Sequence, residues 1–112
     1  MKTPDSMEWV TTENLHAFVE ALVARFRPEK IILFGSRAEG TARPDSDVDL
    51  LVVMDFEGHR AETAARLYCV GPSLPVDLVL RRPADLRRRL EWGDPFLKEI
   101  IEKGKVLYER AA

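Results

Sequence analysis

Residues 31–53 read IILFGSRAEGTARPDSDVDLLVV, two apolar runs on either side of a polar loop. The first run, Lys30 to Phe34, is rich in β-branched and aromatic residues and closes on Gly35, which predicts a short buried strand. The second, Asp47 to Met54, predicts another, but it opens on two acids. Side chains alternate across a strand, so Asp47 and Asp49 project to one face while Val48, Leu50 and Val52 turn to the other. Two carboxylates side by side repel, and each raises the other's pKa. Such a strand end either stands in solvent or holds a cation, and oxygen ligands of this kind suit Mg²⁺ together with phosphates and water.

Upstream, Leu15, Phe18, Val19, Leu22, Val23 and Phe26 stack on one helical face, with Thr11 or Thr12 as cap and Pro28 as stop. Downstream, residues 59–70 predict a helix with Ala61, Ala64, Ala65 and Tyr68 at helical spacing, stopped by Gly71-Pro72. Residues 74–80, LPVDLVL, predict a third strand. Pro83 opens a helix carrying Leu86 and Leu90, and Gly93 ends it. Asp94-Pro95 then caps a last helix with Phe96, Leu97, Ile100 and Ile101 on its apolar face, closed by Gly104. Val106 to Tyr108 adds an edge strand. The order α-β-loop-β-α-β-α-α-β predicts an α/β (α+β) fold, a small mixed sheet flanked by helices. With 112 residues, one domain spanning 1–112 is expected.

Asp77 interrupts the third strand, where Val76, Leu78, Val79 and Leu80 surround it. Burying an unpaired carboxylate is costly, so this residue implies a partner or a metal. If the third strand lies beside the second, Asp47, Asp49 and Asp77 converge on one site. Gly35-Ser36 supplies what the acids lack: a glycine lets backbone approach a ligand closely, and the Ser36 hydroxyl with the following amides can receive phosphate oxygens. Arg37 either reaches a phosphate or solvates the turn. Gly, Ser, Asp and Asp at fixed offsets, each with a usage of roughly 5–7%, coincide by chance about once in a thousand chains of this length.

The rest of the composition excludes several classes. Residues are 46% hydrophobic and 32% charged, and 17 basic against 19 acidic side chains leave a formal net charge of −2. That balance argues against nucleic acid gripped through its phosphates as the main partner. Cys69 is the single cysteine, expected as a small buried hydrophobe; it forms no internal disulfide, and no Cys/His cluster suggests zinc. No apolar run approaches the roughly 18 residues of a membrane span and the start has no signal-peptide core, so a cytoplasmic protein is expected. Arg87-Arg88-Arg89 fan out at about 100° per residue on a helix, which reads as a solvated surface. His16 and His59 are expected to be exposed, and Trp9 and Trp92 to be packing residues.

The segment from Ile31 through Gly35-Ser36 to Asp47-Val48-Asp49 and Val52 resembles the minimal nucleotidyltransferases of the DNA polymerase beta superfamily, whose mark is Gly-Ser, ten residues, Asp-x-Asp. A looser similarity extends through Val76-Asp77-Leu78-Val79, Asp94-Pro95-Phe96-Leu97 and Val106-Leu107-Tyr108-Glu109. The resemblance implies a nucleotidyltransferase fold and an enzyme that moves a nucleoside monophosphate, AMP from ATP first, to a hydroxyl. It implies Asp47, Asp49 and Asp77 as the catalytic acids for two Mg²⁺ ions, and Gly35 and Ser36 as the triphosphate turn; Arg37 is expected with them as a nucleotide-binding residue. Glu39 departs from the pattern, where a basic residue is common. Minimal nucleotidyltransferases often pair with a helical HEPN protein as a toxin–antitoxin system, which implies that this chain is the antitoxin and adenylylates a tyrosine of the HEPN toxin. Two other readings stay open: an antitoxin that only binds, and a transferase acting on a small hydroxylated molecule such as an aminoglycoside, completed by a partner subunit or a homo-oligomer.

Overall fold

Thr11 caps the first helix, as its hydroxyl accepts the Asn14 amide at 2.9 Å. The computed structural model describes residues 10–71 and 73–111, and Trp9 lies outside them. Helix α1 (Thr12–Phe26) buries Phe18, Val19 and Leu22 and ends on Arg27 in the left-handed region, one residue before Pro28. Then follow β1 (Lys30–Phe34), α2 (Ser36–Glu39), β2 (Val48–Val53), α3 (Arg60–Tyr68), β3 (Val76–Arg81), α4 (Pro83–Glu91), α5 (Pro95–Lys103) and β4 (Lys105–Glu109).

The strands form one mixed sheet in the order β3-β2-β1-β4. Strand β1 runs antiparallel to β2 and to β4, while β2 and β3 are parallel. A parallel pair needs a crossover, and α3 lies on it. Val48, Leu50 and Val52 join Ile31, Leu33 and Leu80 in a core with Phe18, Val19 and Leu22 of α1 and Leu67 of α3. On the opposite face Leu51, Val53 and Ile32 pack against Leu97 and Ile100 of α5, with Leu86 and Leu90 at the margin. Strand β2 is therefore covered on both sides, which is why its sequence is a continuous apolar run after the acids. The same alternation places Asp49 on the α5 side, ahead of Leu51 and Val53. Among the described residues no helix is long and apolar enough to cross a membrane.

Several expectations are corrected. The polar segment after Gly35 is not loop throughout, because Ser36–Glu39 forms one helical turn. Helix α3 turns Thr63 and Leu67 to the sheet and leaves Tyr68 45% exposed. Leu67 offers more apolar area than the alanines of the predicted face, so its ridge takes the core. Cys69 is exposed. Trp92 is 74% exposed, with the Arg88 guanidinium 5.9 Å from its ring centroid, and so is not a packing residue. The last helix buries only Leu97 and Ile100 of its four predicted apolar residues.

Gly104, between α5 and β4, shows how closely this corner is packed. Its φ of −77° is ordinary, but an added Cβ would lie 2.5 Å from both the Ile100 carbonyl oxygen and Ile32 Cγ2. Gly104→Ala is expected to cost about 1–3 kcal/mol of unfolding free energy in urea titrations. Unchanged stability would contradict this packing of α5 against the sheet.

Candidate active site

The end of β1 and the beginnings of β2 and β3 meet at one end of the sheet. Asp49 pairs in register with Phe34 of β1 and with Asp77 of β3. Paired residues in neighbouring strands share a face, so Asp49 and Asp77 stand side by side on the α5 side. The Val48 amide donates to the Pro75 carbonyl at 2.7 Å, which locks the starts of the two strands together. Asp47 lies just before β2 and is exposed. Asp77 is exposed too, which corrects the expectation of a costly buried charge: β3 is an edge strand.

Asp49 is half-buried. Burial pushes its carboxyl above the ordinary 3.8, and the charges of Asp77 and then Asp47 push it further the same way. Gly35 makes room for this carboxylate. A Cβ at Gly35 would collide with Asp49 Oδ2 and lie 3.2 Å from Cγ, and the φ of +77° excludes most other residues on conformational grounds as well. The amides of Ala38 and Glu39 return to the Gly35 carbonyl at 3.0 and 3.1 Å and close the α2 turn. The amides of Ser36 and Arg37, at the first positions of that turn, have no place in its own ladder.

Arg37 is aimed at the loop before Asp47. Its Nε donates to the Ser46 carbonyl at 3.1 Å, and its Nη2 to the carbonyls of Ser46, Arg43 and Pro44 at 2.7, 3.2 and 3.3 Å. On the other side of Asp49, Phe34 meets Phe96 of α5 edge to face, with centroids 5.8 Å apart. A cavity of about 210 Å³ adjoins them, lined by Gly35, Glu39, Glu99, Ile100 and Lys103. The aromatic pair escapes sequence reasoning because Phe34 reads only as a strand residue and Phe96 only as part of a helix face.

The chemistry of the donor set suits a divalent cation: burial and the charges of Asp77 and Asp47 all raise the Asp49 pKa, and a cation would relieve that crowding. The acids are not drawn into a finished cage: among the described residues no three His, Cys, Asp or Glu side chains stand at metal-holding distance. Asp47 and Asp77 are exposed, so burial does not fix their rotamers.

Comparison with known proteins bears on this geometry. The family model described as nucleotidyltransferase domain matches residues 15–108. A protein from Methanocaldococcus jannaschii, named as a candidate protein adenylyltransferase, is 29% identical over 93 residues, covering 81% of this chain and 91% of the relative. The crystal structure of a candidate nucleotidyltransferase from Sulfolobus solfataricus superposes with a TM-score of 0.59, covering 98% of this chain and 90% of that one. At 19% identity, that likeness speaks to the fold alone.

The raised Asp49 pKa fixes the sign of a pH dependence. Its acid binds a proton more tightly folded than unfolded, so its contribution to stability falls as pH rises above 3.8 toward and through the raised value. In metal-free protein, Asp49→Asn is expected to raise the melting temperature at neutral pH. The gain is expected to vanish in acid below 3.8, where both states of the unmodified chain are protonated. A variant less stable than the unmodified protein at neutral pH, without metal, would contradict the crowding of these carboxylates.

Proposed function

The chain belongs to the nucleotidyltransferase domain family, and on that premise we propose that it transfers a nucleoside monophosphate, AMP from ATP first, to a hydroxyl of a partner protein. The observation that carries this reading is the register pairing of Asp49 with Asp77 on one face, beside the Gly35-Ser36 turn. Nucleotidyltransferases are enzymes that use a nucleoside triphosphate and a divalent metal. Asp47, Asp49 and Asp77 are the residues that would hold Mg²⁺, which when bound neutralises the triphosphate and lowers the pKa of the attacking hydroxyl.

The remaining chemistry belongs to the chain. The Ser36 hydroxyl and the free amides of the α2 turn receive phosphate oxygens, and Gly35 lets the backbone come close. The acceptor oxygen attacks the α-phosphorus. The bond from that phosphorus to the oxygen bridging the β-phosphate breaks, and pyrophosphate leaves. An Asp77 carboxylate oxygen, exposed at the sheet edge, takes the hydroxyl proton. Most of the acceleration comes from positioning and charge neutralisation, so no side-chain nucleophile is needed.

A protein acceptor is favoured by the name of the Methanocaldococcus jannaschii relative and by the surface. Trp92 and Phe96 are 74% and 49% exposed, and exposed aromatic side chains suit a protein contact. In this reading the partner is a HEPN toxin, the acceptor one of its tyrosines, and this chain the cytoplasmic antitoxin that modifies it, one domain with one site. The test is transfer from α-labelled ATP with Mg²⁺ to proteins of a lysate from the source cell. Label is expected on a protein band, reduced at least about 100-fold by Asp49→Asn or Asp77→Asn. Label confined to small molecules, or label that persists in both variants, would contradict the proposal.

A further inference from the structure

We propose that Arg37 is a positioning residue that fixes Asp47 through the backbone of residues 43–46 and does not contact the nucleotide. The inference rests on the nucleotidyl-transfer reading of the site. Two nitrogens of one guanidinium serve three carbonyls of a single loop, with four donor contacts between 2.7 and 3.3 Å. The shortest goes to the Ser46 carbonyl, which Nε also reaches. That carbonyl shares its peptide plane with the Asp47 amide, and the plane is rigid. Gripping one end therefore orients the backbone from which the Asp47 side chain departs.

The loop supports this use. The Arg43 amide donates to Ser46 Oγ at 2.8 Å, and the Ser46 amide returns to the Arg43 carbonyl at 3.0 Å, so residues 43–46 already form a closed turn. The turn lies between Thr41, whose amide donates to the Ser36 carbonyl at 3.0 Å, and Val48, the first paired residue of β2. Between those two points Arg37 holds it from α2, one residue beyond Ser36. One side chain thereby ties the phosphate-binding turn to the acid-bearing strand. A planar fork with several fixed donors can span three carbonyls, whereas a lysine ammonium is a point charge that cannot.

The experiment compares Arg37→Ala and Arg37→Lys with the unmodified protein in three readouts. In amide hydrogen exchange, Ser46 and Val48, whose amides are bonded to the Arg43 and Pro75 carbonyls, are expected to exchange about tenfold faster in both variants, while Leu22 and Ile32 are unchanged. Mn²⁺ binding, followed by electron paramagnetic resonance, is expected to weaken about tenfold, and not at all when Arg37→Ala is added to Asp47→Asn. Affinity for a non-hydrolysable ATP analogue in metal-free buffer is expected to change by less than about twofold. A large loss of that affinity with loop exchange unchanged would overturn the inference and make Arg37 a phosphate ligand. Faster loop exchange with Mn²⁺ binding intact would overturn it too, leaving a strut with no bearing on Asp47. Failure of the nucleotidyl-transfer reading looks different: the unmodified protein, with its loop protected, would bind neither Mn²⁺ nor the analogue, and Arg37 would then have no site to position.

Discussion

The Asp49 carboxylate fills the space that a Cβ at Gly35 would need, in register with Asp77, and the rest of the molecule is arranged so that it stays there. Like charges held this closely would separate if the strands could slip, and a slip of one residue in β2 would turn Asp49 into the opposite face. Register is therefore the property that the fold must protect. It does so by burying β2 on both faces, Val48, Leu50 and Val52 against α1 and α3, and Leu51 and Val53 against α5. Any shift would exchange the two apolar sets, and each is fitted to different neighbours. The acids occupy the end of the strand where cover by α5 runs out, at the Phe34–Phe96 contact.

This division separates stability from function along a single strand. Residues 50–53 of β2 are apolar and buried, whereas residues 47 and 49 are charged and solvent-facing or half-buried. The stabilising half bears the cost of the other, since burial and two neighbouring charges act against ionised Asp49. A bound divalent cation reverses that sign, because opposite charge at close range favours the ionised acid. Strain of this kind at a site, tolerated by a well-packed frame, is a common feature of functional clusters.

Much of this was legible from residues 31–53. Strands β1 and β2 and the glycine between them follow from composition and a period of two, whereas Asp47, expected to share the strand's alternation with Asp49, lies just before β2. The partnership of Asp49 with Asp77 followed only on the condition that the third strand lies beside the second, because 27 residues separate them and strand order leaves no periodic trace. For the same reason Asp77 looked like a buried charge: an edge strand with one covered face and a buried strand can show similar short apolar runs. The use of Arg37 was hidden more deeply, since its partners are backbone carbonyls, which every residue carries. Thr63 and Leu67 on α3 were missed because alanine spacing resembled a face that a larger leucine, one ridge away, took instead.

In the proposed function, one end of this sheet holds a nucleoside triphosphate through Gly35 and Ser36 and its metal through three aspartates. A crystal structure of the protein with Mg²⁺ and a non-hydrolysable ATP analogue tests it most directly. The expected result is triphosphate density against the Gly35-Ser36 turn, with Asp47, Asp49 and Asp77 oxygens at about 2.0–2.1 Å from magnesium. A triphosphate bound elsewhere, or one bound here with the aspartates turned away from the metal, would contradict it.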